Sequence, residues 1–118
     1  MMARVVNSRN QKVLVSDLEW AHTMKARLVG LIGRESLSEG KGLWIKRSGN
    51  SIHTFFMKFP IDVLFVNKKG VVKYAVTNIR PWKLVLTPLL LPTDCLELPA
   101  GTVQRCETKI GDVLSVEN

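Results

Sequence analysis

A histidine and an acid, His53 and Asp62, stand inside the otherwise apolar, strand-like run from Ser51 to Val66. Placing such groups in a core is costly unless each finds a partner. Only Met57-Lys58-Phe59-Pro60 is needed to connect the two stretches that carry them. Paired as a hairpin about that connection, the stretches would set the carboxylate beside the imidazole and fix its tautomer. His53 would then serve as general acid or base with Asp62 as its orienter. The plainer alternative gives Asp62 the backbone N–H groups of the Pro60 turn and His53 a hydrogen bond to a neighbour. A third group is needed to tip the balance toward chemistry.

Arg34 is the candidate for that third group. It follows Gly30 and Gly33, and its guanidinium could fork onto Asp62, Glu97 or an anionic ligand. Pairing with an internal acid is the more ordinary outcome. Strict alternation would send the adjacent Phe55 and Phe56 to opposite faces, so that one of them lines a surface groove with Met57. Arg34, His53, Phe55, Met57, Asp62 and Glu97 therefore form the expected binding set, with His53 and Asp62 the catalytic candidates should the protein be an enzyme.

Other chemistries find fewer residues. The only imidazoles are His22 and His53, without His-x-His or His-Glu-x-x-His spacing, so no metal site is expected. Cys95 and Cys106 are eleven apart, match no zinc pattern and read as reduced thiols, one in a strand and one on a short helix. Cys95 as a nucleophile with His53 is a weaker reading than an inert core thiol. Neither a Gly-x-Ser-x-Gly elbow nor a phosphate-binding glycine loop occurs, and no cofactor is expected. Phe55, Phe56, Phe59, Trp44 and Trp82 read mainly as core.

The elements that must position these residues are mostly strands. Ala3–Asn7 reads as the first. Val13, Val15, Leu18 and Trp20 suggest a second, with a shift of phase near Ser16-Asp17. Thr23 would cap a helix from Met24 to about Val29, stopped by Gly30 and Gly33. Leu43-Trp44-Ile45 begins a β-rich region, with a turn at Ser48-Gly49-Asn50 before the His53 strand. The clearest hairpin joins Ile61–Val66 to Val71–Val76 through Asn67-Lys68-Lys69-Gly70. Pro88 and Pro92 bracket an irregular segment. Cys95–Leu98 is a short strand that Pro99 should end, Thr102–Cys106 one helical turn, and Val113–Val116 a closing strand after Gly111-Asp112. On the Cys95–Leu98 strand, alternation sends Leu96 and Leu98 to the core and Cys95 and Glu97 to the other face. The sum is a mainly β fold: a compact β-sandwich or barrel-like single domain, residues 1–118, with one or two short helices.

Composition bounds the partners. The 118 residues are 46% hydrophobic and 23% charged, the profile of a globular domain large enough for its own core. Seventeen Lys and Arg against ten Asp and Glu give +7, but the charge is spread along the chain. That spread disfavours nucleic acid as a partner, since binders concentrate charge on one face. No apolar run approaches the ~20 residues of a membrane helix, so no membrane partner is expected. Met1–Arg9 has no apolar h-region, which predicts no signal peptide and a cytoplasmic location. A monomer or small homo-oligomer is expected.

Six segments carry a resemblance in order along the chain. They are Gly30-Leu31-Ile32-Gly33-Arg34, Gly42-Leu43-Trp44, His53-Thr54-Phe55-Phe56-Met57, Pro60-Ile61-Asp62-Val63-Leu64-Phe65, Leu96-Glu97-Leu98-Pro99-Ala100-Gly101 and Gly111-Asp112. Together they resemble the domain-of-unknown-function family 192, also called uncharacterised protein family 0127, from about residue 13 to residue 116. The resemblance implies a small, mainly β, sandwich-like domain and brings no established reaction with it. The reading that follows is a non-enzymatic binding module for a small anionic or carbohydrate-like ligand, or for a protein segment. The alternatives are a small enzyme built on His53 and Asp62, and a basic nucleic-acid-binding protein.

Overall fold

The computed structural model describes residues 2–22 and 30–118, without the side chains of residues 47 and 48. Among these the architecture is mainly β. The strands are β1 (Arg4–Asn7), β2 (Val13–Val15), β3 (Asp17–Ala21), β4 (Lys41–Gly49), β5 (Ser51–His53), β6 (Ile61–Val66), β7 (Val72–Ile79), β8 (Leu84–Leu86), β9 (Thr93–Pro99) and β10 (Leu114–Glu117). One short helix, α1 (Thr102–Arg105), lies between the last two. The helix expected from Met24 to about Val29 falls outside the described residues.

Five strands in the order β3-β4-β9-β6-β7 make a central sheet. β3 runs parallel to β4, and every other pairing in that sheet is antiparallel. The sheet β10-β1-β2 covers one face, where Val5, Leu14, Val15 and Leu114 pack with Trp44, Leu64, Leu96 and Leu98. The β5-β8 pair covers the other, where Ile52 and Val85 join Leu43, Ile45, Val63 and Phe65. The expected sandwich is therefore present with a third, partial layer, and it does not close into a barrel. Because both faces of the central sheet are covered, β6 is buried at every position from Ile61 to Val66. A strand buried on both sides reads as a continuous apolar run, as this one does.

The expected hairpin at Asn67-Lys68-Lys69-Gly70 forms. The Gly70 N–H donates to the Asn67 carbonyl at 3.0 Å, and Asn67 Oδ1 accepts from the Lys69 and Val71 N–H groups at 2.9 Å. Gly70 sits at φ +83°, and a Cβ there would stand 2.7 Å from the Leu114 carbonyl oxygen. Glycine thus serves both the turn and its close approach to β10.

The hairpin expected between the His53 strand and β6 does not form. β5 pairs with β8 instead, with His53 opposite Leu84. Thr54, fully buried, directs this choice. Its N–H donates to the Lys83 carbonyl at 2.8 Å, and its hydroxyl donates to the Arg80 carbonyl and accepts from the Lys83 N–H. These bonds bind the end of β5 to residues 80–83 and leave β6 free for β7 and β9. Two smaller expectations also change. Phe55 and Phe56 lie in a turn rather than a strand, with Phe56 at φ +65°, so alternation does not sort them. Phe56 is 62% and Trp82 59% exposed, and neither is a core residue.

Candidate functional site

Asp62 is buried at the end of β6 next to α1 and is fully engaged by backbone. Its Oδ1 accepts from the Asn78 N–H at 2.8 Å, and its Oδ2 accepts from the N–H groups of Gly101 at 3.1 Å and Val103 at 3.0 Å. The carboxylate thus satisfies donors at the opening of α1 and fastens β7 at a residue with positive φ, Asn78. It satisfies backbone N–H groups as the plainer alternative supposes, though at α1 and β7 instead of the Pro60 turn.

His53 stands exposed on β5, its Nδ1 accepting the Phe55 N–H at 3.2 Å and its ring stacked on Phe55 at 5.0 Å. It shares no hydrogen bond with Asp62. Phe55 and Phe56 both meet Trp82, at centroid distances of 6.2 and 4.6 Å. Met57 is buried in the core cluster beneath β5 and β8 rather than lining a groove.

Arg34 forks onto Glu19 of β3, with Nη1 3.0 Å from Oε1 and Nη2 2.9 Å from Oε2. Each partner favours the charged form of the other, raising the Arg34 pKa and lowering that of Glu19. Glu97 points away from Leu96 and Leu98, as alternation requires, but the face it meets is covered. It is only 3% exposed, and its Oε1 has no hydrogen-bond partner. Burial pushes its pKa up to about 8, against the opposing pull of the Arg34 charge. At neutral pH Glu97 is therefore held mostly as the uncharged acid. Of the six expected binding residues, Arg34 and Glu97 sense each other, His53 and Phe55 stack at the surface, Asp62 is held by backbone N–H groups and Met57 lies in the core.

Asp112, the acid of the Gly111-Asp112 segment, is likewise buried. It accepts from Asn7 Nδ2 at 2.8 Å, Arg9 Nε at 2.7 Å and the Lys109 N–H at 2.9 Å. The Arg9 guanidinium is the main cause holding its carboxyl well below the usual carboxylate range.

A cleft of about 610 Å³ opens where β10 and the Asn67–Gly70 turn meet the β3, β4 and β9 end of the central sheet. Trp20 and Trp44 lie side by side on the paired strands β3 and β4, with ring centroids 5.7 Å apart, and Trp20 also stacks on His22 at 5.4 Å. Trp44 Nε1 donates to Asp94 Oδ2 at 2.8 Å, and Lys46 Nζ lies 3.2 Å from the same oxygen. Lys68 and Lys69 overhang from the hairpin turn, both exposed. The expected binding set does not include these residues. They come from four separate segments, with β10 supplying a fifth wall, and the paired lysines in the hairpin turn are the one local signal.

Comparison with known proteins places the fold. No curated protein matches the chain. A solved structure from Sinorhizobium meliloti 1021, described as a "putative transcription regulator", is 22% identical at TM-score 0.82, covering 97% of this chain and 91% of its own. A protein of unknown function from Novosphingobium aromaticivorans DSM 12444 is 24% identical at TM-score 0.81, covering 96% and 82%. At such identities the likeness is one of fold. The sequence model of DUF192, an uncharacterised family described as "Uncharacterized ACR", matches residues 5–116. The chain belongs to the DUF192 family, and the two acids of its most recognisable segments, Asp62 and Asp112, serve the fold.

Proposed function

We propose that the protein is a binding module whose ligand site is the Trp20–Trp44 cleft, and that its ligand is a small anion with a flat ring face, such as an acidic sugar. The observation that carries this reading is a single cleft lined by the half-exposed Trp20 indole, by the largely buried Trp44 beside it, and by Lys68, Lys69 and the Asp94-paired Lys46. Indole faces bury the apolar face of a sugar ring, and the ammonium groups attract its carboxylate. Asp94, tied to Trp44 and Lys46, orients the walls. Asp62 bonds to backbone amides and shares no hydrogen bond with His53, which favours the binding reading over the acid–base alternative.

Titration of tryptophan fluorescence with oligogalacturonate and with neutral malto-oligosaccharide tests the proposal. Saturable quenching by the acidic oligomer is expected, with Lys68→Ala/Lys69→Ala weakening it about tenfold, a loss near 1.4 kcal/mol. Equal response to both sugars, or none to either, overturns it. Tighter binding of oligo-dT with a steep salt slope would replace it with a single-stranded nucleic-acid site, bases on Trp20 and phosphates on the lysines.

A further inference from the structure

The outer face of the β5-β8 pair and the loop after it carry a run of exposed apolar side chains. Trp82 touches Phe56, and Leu84 and Leu86 alternate outward along β8 while Val85 turns inward. The Thr87 N–H donates to the Asn50 carbonyl at 3.1 Å and Asn50 Nδ2 donates to the Leu89 carbonyl at 3.0 Å, so the loop continues the same strip. At its tip Leu90 is 93% and Leu91 77% exposed, and Leu86 on β8 is 72% exposed. Contiguous apolar exposure on this scale calls for an occupant.

Charge says which. The segments that build the strip, residues 50–61 and 77–93, contain no Asp or Glu; of their cations Lys58 is paired with Glu35, and Arg80 and Lys83 remain. Arg80 and Lys83, on either side of Pro81-Trp82, are exposed and have no carboxylate partner among the described residues. A second copy of the chain would bring another formal +7 toward this face. The leucines protrude at a loop tip between Pro88 and Pro92. A protruding apolar tip flanked by an indole and unpaired cations suits an interface that is apolar within and anionic at its surface.

We infer that this face seats the protein on an anionic lipid bilayer, with Leu90 and Leu91 entering the acyl boundary, Trp82 at the headgroup level and Arg80 and Lys83 on the lipid charges. The contact is peripheral, made by a loop tip and one strand pair; no helix among the described residues is long and apolar enough to span a membrane. This is independent of the Trp20–Trp44 cleft.

Co-sedimentation with vesicles tests it. The protein is expected to pellet with phosphatidylcholine vesicles containing phosphatidylglycerol and to stay in solution with phosphatidylcholine alone. Leu90→Ser/Leu91→Ser should reduce binding at least tenfold without moving the thermal melt, because both side chains are exposed. Arg80→Gln/Lys83→Gln should reduce it and flatten its salt dependence. Lys68→Ala/Lys69→Ala, at the cleft, should change it less than Arg80→Gln/Lys83→Gln does. Failure to pellet with the anionic vesicles at low salt overturns the inference. So does full binding by the leucine variant, which would mark adsorption by charge alone. A concentration-dependent dimer in sedimentation velocity, dissolved by the leucine substitutions, would assign the face to a second copy instead.

Discussion

At the scale of single residues, Asp62 shows how a group placed for chemistry can be consumed by architecture. Three backbone N–H groups converge on it from β7 and the start of α1. Asp62→Ala leaves all three without an acceptor in a buried site, a loss of roughly 3–9 kcal/mol at about 1–3 per orphaned group. Urea unfolding at neutral pH measures it, and a change within about 0.5 kcal/mol would place the acid at the surface. That Asp62 is buried and hydrogen-bonded was legible in the sequence, because an acid flanked by Ile61, Val63 and Leu64 must be paired. Its partners were not legible. They lie 16, 39 and 41 residues away, and nothing local to Asp62 points to them. The same distance hid the cleft, whose indoles meet only because β3 lies parallel to β4 with Trp20 opposite Trp44.

At the scale of elements, local signals were read correctly where the element is closed by local bonds. The Asn67–Gly70 turn and the single turn of α1 both announce themselves in their glycines and flanking residues. Gly70 and Gly101 separate two reasons for glycine. Gly101 adopts φ +96° with nothing within 4 Å of where a Cβ would stand, so Gly101→Ala should cost about 1–2 kcal/mol of backbone strain. Gly70→Ala adds a collision with the backbone of β10 and should cost about 3 kcal/mol or more. Thermal melts of the two variants compare them directly, and equal losses would deny the close approach to Leu114. Pairings set by distant bonds escaped the sequence. The partner of β5 is decided by Thr54 and residues 80–83, and the short Met57–Pro60 link gives no hint of it. Alternation puts Glu97 on the face of β9 opposite Leu96 and Leu98, as found, but cannot say that a third layer covers that face.

Across the whole molecule, two buried acids set opposite limits on stability. Glu97 holds its proton up to about 8 in the folded protein against an ordinary 4.5, so the folded state binds more protons than the unfolded one between those values. Its contribution is fully present below pH 4.5 and is lost as pH rises toward 8. Asp112 runs the other way: its carboxyl is depressed, and its contribution is present above 3.8 and lost as pH falls further. Stability should therefore peak under mildly acidic conditions. From pH 5.5 to 8.5 the wild type should lose on the order of 2–3 kcal/mol that Glu97→Gln does not, at up to about 1.4 kcal/mol per pH unit. Denaturant curves at the two pH values decide it, and parallel losses would mean that Glu97 reaches solvent when folded. The pairing of β1 with β10, from Arg4 opposite Glu117 to Asn7 opposite Leu114, has a consequence for the order of assembly. The ribosome makes β1 well before β10, since every other strand lies between them in the chain. Until then one edge of the β1-β2 ribbon is bare and the valines of β1 lack their cover, a template for joining with other nascent chains. Completion of the sandwich waits on the synthesis of β10, and the edge of β1 stays open until then.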